Sequence, residues 1–340
     1  MKKLRIAQIS PLRFSVPAEK RGGNEMIISY LTEELVKRGH KVTLFASGDS
    51  KTKAKLVSLL KKPLNCLYFT ESNYWWNIFS HSFAIEKASD FDIIHCHWDI
   101  MGAFFQRFVK APVLNTAHYI MSPRKSVQDI FEYYKNDLNI VFIRDEQRDN
   151  SPIKFKNSWV VYNGIDVSKF KFSEKGKNHL VWAGRLVPGK DVKEMIKVAK
   201  KSGEKLFLAG QIEEHSREYF KKEIKPHLGS RIKYVGELSQ KELSDFYGSA
   251  KACLYPAGLV TLESMACGTP VISPVKKKMI MENKTGFVVK DTAEAVRAIK
   301  KIGEINRHDC RKWVEDNFSV EKMVDEYEKI YYEMLKRKKR

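Results

Sequence analysis

Short apolar runs that alternate with helix-period stretches, and then start the alternation over, limit how this 340-residue chain can fold more than any other feature. Residues 4–10 read as a first strand. A loop rich in Pro, Arg and Gly then leads to Gly22 and Gly23, and a helix follows in which Ile27, Leu31 and Leu35 recur at one-turn spacing. Lys37 and Arg38 stand in its last turn, and Gly39 takes the usual glycine place just beyond it. Residues 41–46, 92–97, 111–116, 139–143 and 159–162 continue the series as strands. The pattern restarts at 179–183, followed by a helix over about 191–202 and strands at 206–210, 232–236, 252–255 and 270–273. Strands apolar on both faces and interleaved with helices predict parallel sheets covered on both sides. A chain of this length exceeds one core. The expectation is therefore two doubly wound α/β domains, 1–168 and 169–319. A closing amphipathic helix (Val320, Met323, Val324, Tyr327, Ile330, Tyr331) over about 320–340 ends the pattern.

Composition narrows the function. With 43% apolar and 30% charged residues the chain is an ordinary folded protein. No run approaches the roughly 18 apolar residues of a membrane span, and the N-terminal apolar run is too short for a signal sequence. Cys66, Cys96, Cys253, Cys267 and Cys310 are odd in number and scattered, which points to a reduced, cytoplasmic setting. The net charge of +20 is spread over both halves. It suits phosphorylated ligands or peripheral contact with an anionic membrane surface. Nucleic acid is not expected, because basic residues are not interleaved with stacking aromatics. The run 51–62, with Leu56, Leu59 and Leu60 among five lysines, fits an interfacial amphipathic helix or a solvated helix lying on the core.

Two loops carry the charge chemistry. Gly184 to Lys190 leaves a strand and opens a helix, where backbone N–H groups favour phosphate. Arg185 can grip phosphate oxygens through two donors and Lys190 as a point charge, together fitting a diphosphate; two solvated surface cations are the alternative. In the second loop Gly258 permits close approach of a ligand to the backbone at a helix start. Glu263, one turn into that helix, can bond paired ribose hydroxyls or simply face solvent. His95 and His97 invite a metal reading, but on a strand they share a face only with each other, and further ligands are absent. No metal is expected. His118 follows a strand end and is read either as a hydrogen-bonded structural histidine or as a site residue.

The stretches 184–190 (GRLVPGK), 262–272 (LESMACGTPVI), 162–166 (YNGID) and 22–25 (GGNE), with 34–49 and 318–327, resemble the retaining glycosyltransferases of family 4, also called group 1, which have the GT-B fold. That resemblance implies two facing Rossmann-like domains with an interdomain cleft, a nucleoside diphosphate sugar as donor, a glycan or lipid-linked acceptor, and no cofactor. It implies that Arg185 and Lys190 hold the diphosphate, Glu263 the ribose, and the amides of Gly258, Leu259 and Val260 the distal phosphate. Tyr234 and Val235 would lie near the base and His118 near the donor sugar. Gly22 and Gly23 would form a loop over the phosphates, and the closing helix of about 320–340 would cross back to pack on the first domain. The sequence departs from the family at Tyr255, where a glutamate is usual, and at Asp191, where a glycine usually follows the lysine; Asp191 is expected to cap the helix. The expected activity is retaining, metal-independent hexosyl transfer. A catalytically degraded shell that binds a sugar nucleotide or serves as a partner subunit is the alternative, and a GT-B sugar-nucleotide epimerase a third reading.

Overall fold

The computed structural model describes residues 2–18, 22–64, 71–98, 100–255, 258–274 and 278–338; Cys66 lies outside them. The chain forms two compact units, 1–164 with 320–340, and 165–319. The division falls at Gly164 rather than near residue 168.

In the first unit β1 (Arg5–Ile9), β2 (Lys41–Phe45), β3 (Lys55–Val57), β4 (Ile93–Cys96), β5 (Val113–Ala117), β6 (Asn139–Phe142) and β7 (Asn157–Val160) form one parallel sheet in the order β3-β2-β1-β4-β5-β6-β7. Ile6, Ile9, Ile93, Ile94, Leu114 and Ile140 are fully buried, as strands covered on both faces require. The last strand begins at Asn157, two residues earlier than its apolar run suggests.

The run 51–62 is neither kind of helix. Leu56 lies on β3, an edge strand paired with β2. Ala54 and Leu56, two apart, both pack on the cluster of Val16, Ile28, Leu44 and Ala46. That is the period of a strand, not a helix. The helix Gly23–Lys37 does bury Ile27, Leu31 and Leu35, but it begins at Gly23, so only Gly22 belongs to the preceding loop.

The closing helix Val320–Lys338 lies in the first unit. Val320, Met323, Val324, Tyr327, Ile330, Tyr331 and Met334 are buried along one stripe. Each large apolar side chain so buried contributes about 1.5–3 kcal/mol. Polar ties fix its register. Arg38 reaches Asp325 at 2.7 Å and Glu328 at 2.5 Å, and His40 Nε2 lies 2.7 Å from Glu328. Burial opposes ionisation of Glu328, but the bonds from His40 and Arg38 outweigh it and hold the carboxyl below its usual range.

In the second unit β8 (Leu180–Ala183), β9 (Leu206–Ala209), β10 (Ile232–Gly236), β11 (Ala252–Leu254), β12 (Val271–Ser273) and β13 (Gly286–Val288) form a parallel sheet in the order β10-β9-β8-β11-β12-β13. Trp182, Leu208, Leu254, Leu262 and Val314 are buried around it. The strand order reverses between β8 and β11, and in the first unit between β1 and β4. In open α/β sheets the carboxyl ends of strands at such reversals are where ligands bind.

Candidate functional site

The loop leaving β8 begins at Gly184, whose carbonyl passes so close to Gly210 that a Cβ there would lie 1.8 Å from the oxygen. Only glycine fits at 210. Buried Leu186 anchors the loop, and Gly189 and Asp191 turn it through left-handed backbone (φ 82 and 51) into the helix Val192–Ser202. Arg185 is thereby left with its side chain 51% exposed, its Nη1 3.4 Å from Oε1 of Glu213, which is 1% exposed. The buried carboxylate takes one donor, on Nη1, and leaves the other donors of the half-exposed guanidinium available to a ligand. Lys190 stands half-buried at the far end of the same loop.

The loop leaving β11 carries the second group. Gly258 precedes the helix Leu259–Ala266 with φ 60 and ψ −125, a conformation side-chain-bearing residues avoid. The first-turn amides, those of Leu259 and Val260 among them, have no carbonyl within the helix to bond. Their partial positive charge suits an anion. Glu263 lies one turn on, half-buried, and the buried Tyr247 hydroxyl donates to its Oε2 at 3.3 Å. Burial pushes the Glu263 carboxyl up to about 7.

The two departures from the family pattern meet each other. Tyr255 has left-handed backbone (φ 44), and its hydroxyl donates to Asp191; burial first, and that carboxylate second, raise the phenol above its usual range. Asp191 therefore does not cap its helix as expected. It occupies the capping position, but makes no side-chain bond to the first turn. Its left-handed φ and ψ (51 and 24) replace the extended backbone from which a carboxylate reaches back to those amides. The contact ties the β8 loop to the β11 loop.

Tyr234 and Val235 lie at the end of β10. The Tyr234 hydroxyl donates to the Gly210 carbonyl at 2.7 Å, whereas Val235 is 40% exposed. The second unit thus gathers Arg185, Lys190, Gly258, Leu259, Val260 and Glu263 at two neighbouring strand ends, with Tyr234 and Val235 at the sheet's edge.

The remaining candidates belong to the first unit. Gly22 (φ 106) precedes the helix Gly23–Lys37, and a Cβ on it would meet Oε2 of Glu25 at 2.5 Å. Glu25 is buried, and burial pushes its carboxyl up to about 7. His118 follows β5 and is 6% exposed, with its pKa lowered by burial to about 4. It does not stand apart from the other histidines. His118 Nε2 lies 3.1 Å from His97 Nδ1, and the two rings stack. The face that sequence reasoning gave to His95 and His97 alone therefore includes His118, brought there by the neighbouring strand. Among the described residues no group of three or more His, Cys, Asp or Glu is placed to hold a metal ion. Sequence reasoning also missed Glu213, Tyr247, Gln8 and Tyr331. Gln8 alone left a signal, a polar residue in the middle of an apolar strand.

Two family models match consecutive parts of the chain: "Glycosyltransferase Family 4" over residues 21–169 and "Glycosyl transferases group 1" over residues 165–319. An uncharacterized glycosyltransferase of Methanocaldococcus jannaschii is 24% identical over 269 residues, 69% of this chain and 63% of that relative's length. N-acetyl-alpha-D-glucosaminyl L-malate synthase of Bacillus anthracis is 23% identical over 372 residues, 93% of this chain and 95% of that protein. Among solved structures, sucrose-phosphate synthase from Thermosynechococcus elongatus superposes with a TM-score of 0.77 at 18% identity, covering 99% of this chain and 100% of that one.

Proposed function

Since the chain belongs to the family 4, or group 1, glycosyltransferases and is a transferase, we propose that it moves a hexose from a nucleoside diphosphate sugar to a hydroxyl of a glycan, glycolipid or lipid-linked sugar, retaining the anomeric configuration and using no metal. One observation carries this reading. Arg185, Lys190 and the amide end of the helix Leu259–Ala266 converge on the carboxyl ends of β8 and β11, where the sheet order reverses.

Those groups suit a diphosphate leaving group. As the bond between the anomeric carbon and the phosphate oxygen breaks, its electron pair and negative charge pass to the diphosphate. Donors already aimed at that charge are worth more in the transition state than in the ground state. Glu263 would accept from ribose hydroxyls, with Tyr234 and Val235 beside the base. His118, Gly22 and Gly23 are assigned by the resemblance to the donor sugar and its phosphates. The acceptor hydroxyl bonds to the anomeric carbon on the face the diphosphate leaves, and its proton goes to a diphosphate oxygen. No separate strong base is then needed.

The setting proposed is cytoplasmic, with peripheral contact to an anionic membrane when the acceptor is lipid-linked. The net charge of +20 and the buried Cys96, Cys267 and Cys310, which form no disulfide, support it. Among the described residues no helix is long and apolar enough to cross a membrane.

The test is thermal stabilisation and product release with a panel of UDP-, GDP- and ADP-sugars, beside Arg185→Ala. A true donor raises the melting temperature by mass action and releases its diphosphate. A panel that neither stabilises the protein nor turns over would overturn the assignment.

A further inference from the structure

A buried polar chain behind His118 determines which of its nitrogens carries the proton. Gln8 on β1 donates from Nε2 to the Tyr331 hydroxyl at 3.2 Å, and its Oε1 lies 2.6 Å from His97 Nε2. An amide oxygen only accepts, so His97 carries its hydrogen on Nε2. A neutral imidazole has a single N–H, which leaves His97 Nδ1 as an acceptor. His118 Nε2, 3.1 Å away, must then be the donor. With that hydrogen on Nε2, His118 Nδ1 is a bare acceptor. It is buried and has no hydrogen-bond partner among the described residues. A buried acceptor left unpaired is costly, and a hydroxyl supplied by a ligand removes that cost.

The other half of the chain runs the same way. Tyr331, having accepted from Gln8, passes its hydrogen to His95 Nδ1 at 2.8 Å, and His95 Nε2 donates to Thr116 Oγ1 at 2.7 Å. Thr116 in turn lies 3.1 Å from the Tyr327 hydroxyl. One side chain, Gln8, therefore sets the direction of the bonds from Thr116 to His118. Burial keeps His95, His97 and His118 neutral, the state in which a tautomer is defined.

We propose that Gln8 and His97 are positioning residues that hold His118 as its Nε2–H tautomer, so that Nδ1 accepts a hydrogen bond from a hydroxyl of the donor sugar. The sugar contact rests on the role given to His118 above; the tautomer does not.

Long-range nitrogen–proton correlation spectra of the full chain, labelled with ring-15N histidine, read the tautomer directly, with the His118 signals assigned by their loss in His118→Ala. The expected spectrum has His118 protonated on Nε2 and bare on Nδ1, with Nδ1 moving most when the donor sugar nucleotide is added. A proton on Nδ1, or an averaged pair, overturns the proposal, since a reversed Gln8 amide would reverse the whole chain. In the same protein His97→Leu removes the acceptor for His118 and should lower kcat/KM about tenfold, the scale of one lost hydrogen bond. His97→Asn places an amide oxygen near the old Nδ1 position and should recover most of that loss together with the tautomer. Equal activity in His97→Leu and the parent would overturn the positioning role. If the spectrum is as expected but His118→Ala keeps full turnover, the sugar contact fails and only the tautomer stands.

Discussion

At the carboxyl ends of β4 and β5 the first unit collects neutral side chains and ties them into one another, His118 to His97, His97 to Gln8, Gln8 to Tyr331. At the ends of β8 and β11 the second unit does the reverse: Arg185 stays half in water on a glycine-hinged loop, held by a weak ion pair to Glu213. The difference follows from solvation. Burial drives histidines toward the neutral form, so a buried cluster can aim a proton but holds little charge. A half-exposed guanidinium keeps its charge at small cost and is free to meet an anion that arrives with its ligand. The first arrangement suits fixing a direction, the second suits countering charge.

The largest effect that would break this contrast is in the second unit. Arg185→Ala should lower turnover about 100- to 1,000-fold, the scale of a removed transition-state donor, with little change in melting temperature. Steady-state kinetics beside a thermal scan checks both halves of the statement, and a large loss of stability with modest loss of rate would make Arg185 a structural residue.

Next is the response to pH. His81, buried on the helix Glu71–Glu86, and His118 are lowered by burial to about 4 from an ordinary 6.5, so their share of the first unit's stability is present above 6.5 and lost as pH falls toward 4. Each accounts for about 3 kcal/mol. Hydrogen exchange followed down through this range should show the first unit losing protection before the second. The carboxyls act in the opposite sense. Glu25 and Glu263 are raised to about 7, so the unfolded chain gives up these protons first, and stability falls as pH rises from 4.5 through 7, again by about 3 kcal/mol each. Glu25→Gln should therefore raise the melting temperature above pH 7 and give no gain near 4.5.

Smaller effects test the loops. Gly258→Ala forces a side chain into φ 60, ψ −125 and should cost about 1–3 kcal/mol, together with a weaker donor KM. Tyr255→Phe removes the bond to Asp191 and should cost about 1 kcal/mol in a denaturant titration. No change there would mean that the β8 and β11 loops are not held together by this pair.

Both sheets were legible in the sequence because their strands are apolar on both faces and their helices carry a one-turn stripe. β3 and β13 were not. Each is a three-residue edge strand whose pairing is decided by the neighbour it meets, and the leucines near β3 happen to imitate a helix. The charged loop residues were readable because a strand, a glycine-rich turn and a helix stand in sequence order. The chain behind His118 was not, since it joins Gln8 to residues 89 and 323 positions away. The contact between Tyr255 and Asp191 was hidden for the same reason, although each residue was noticed singly as a departure.

The return of the closing helix to the first unit sets an order of events during synthesis. The second unit is one unbroken stretch, 165–319, and can fold as soon as it clears the ribosome. The first unit emerges earlier but lacks Tyr327 and Tyr331 until residues beyond 320 have been made. At 5–20 residues per second that is a wait of roughly 8–30 s. Throughout it Gln8 and His95 have no tyrosine to bond, and the apolar floor meant for Val324 and Ile330 stays uncovered. The unit whose strands are translated first is thus completed last, and chaperones have their longest access to it.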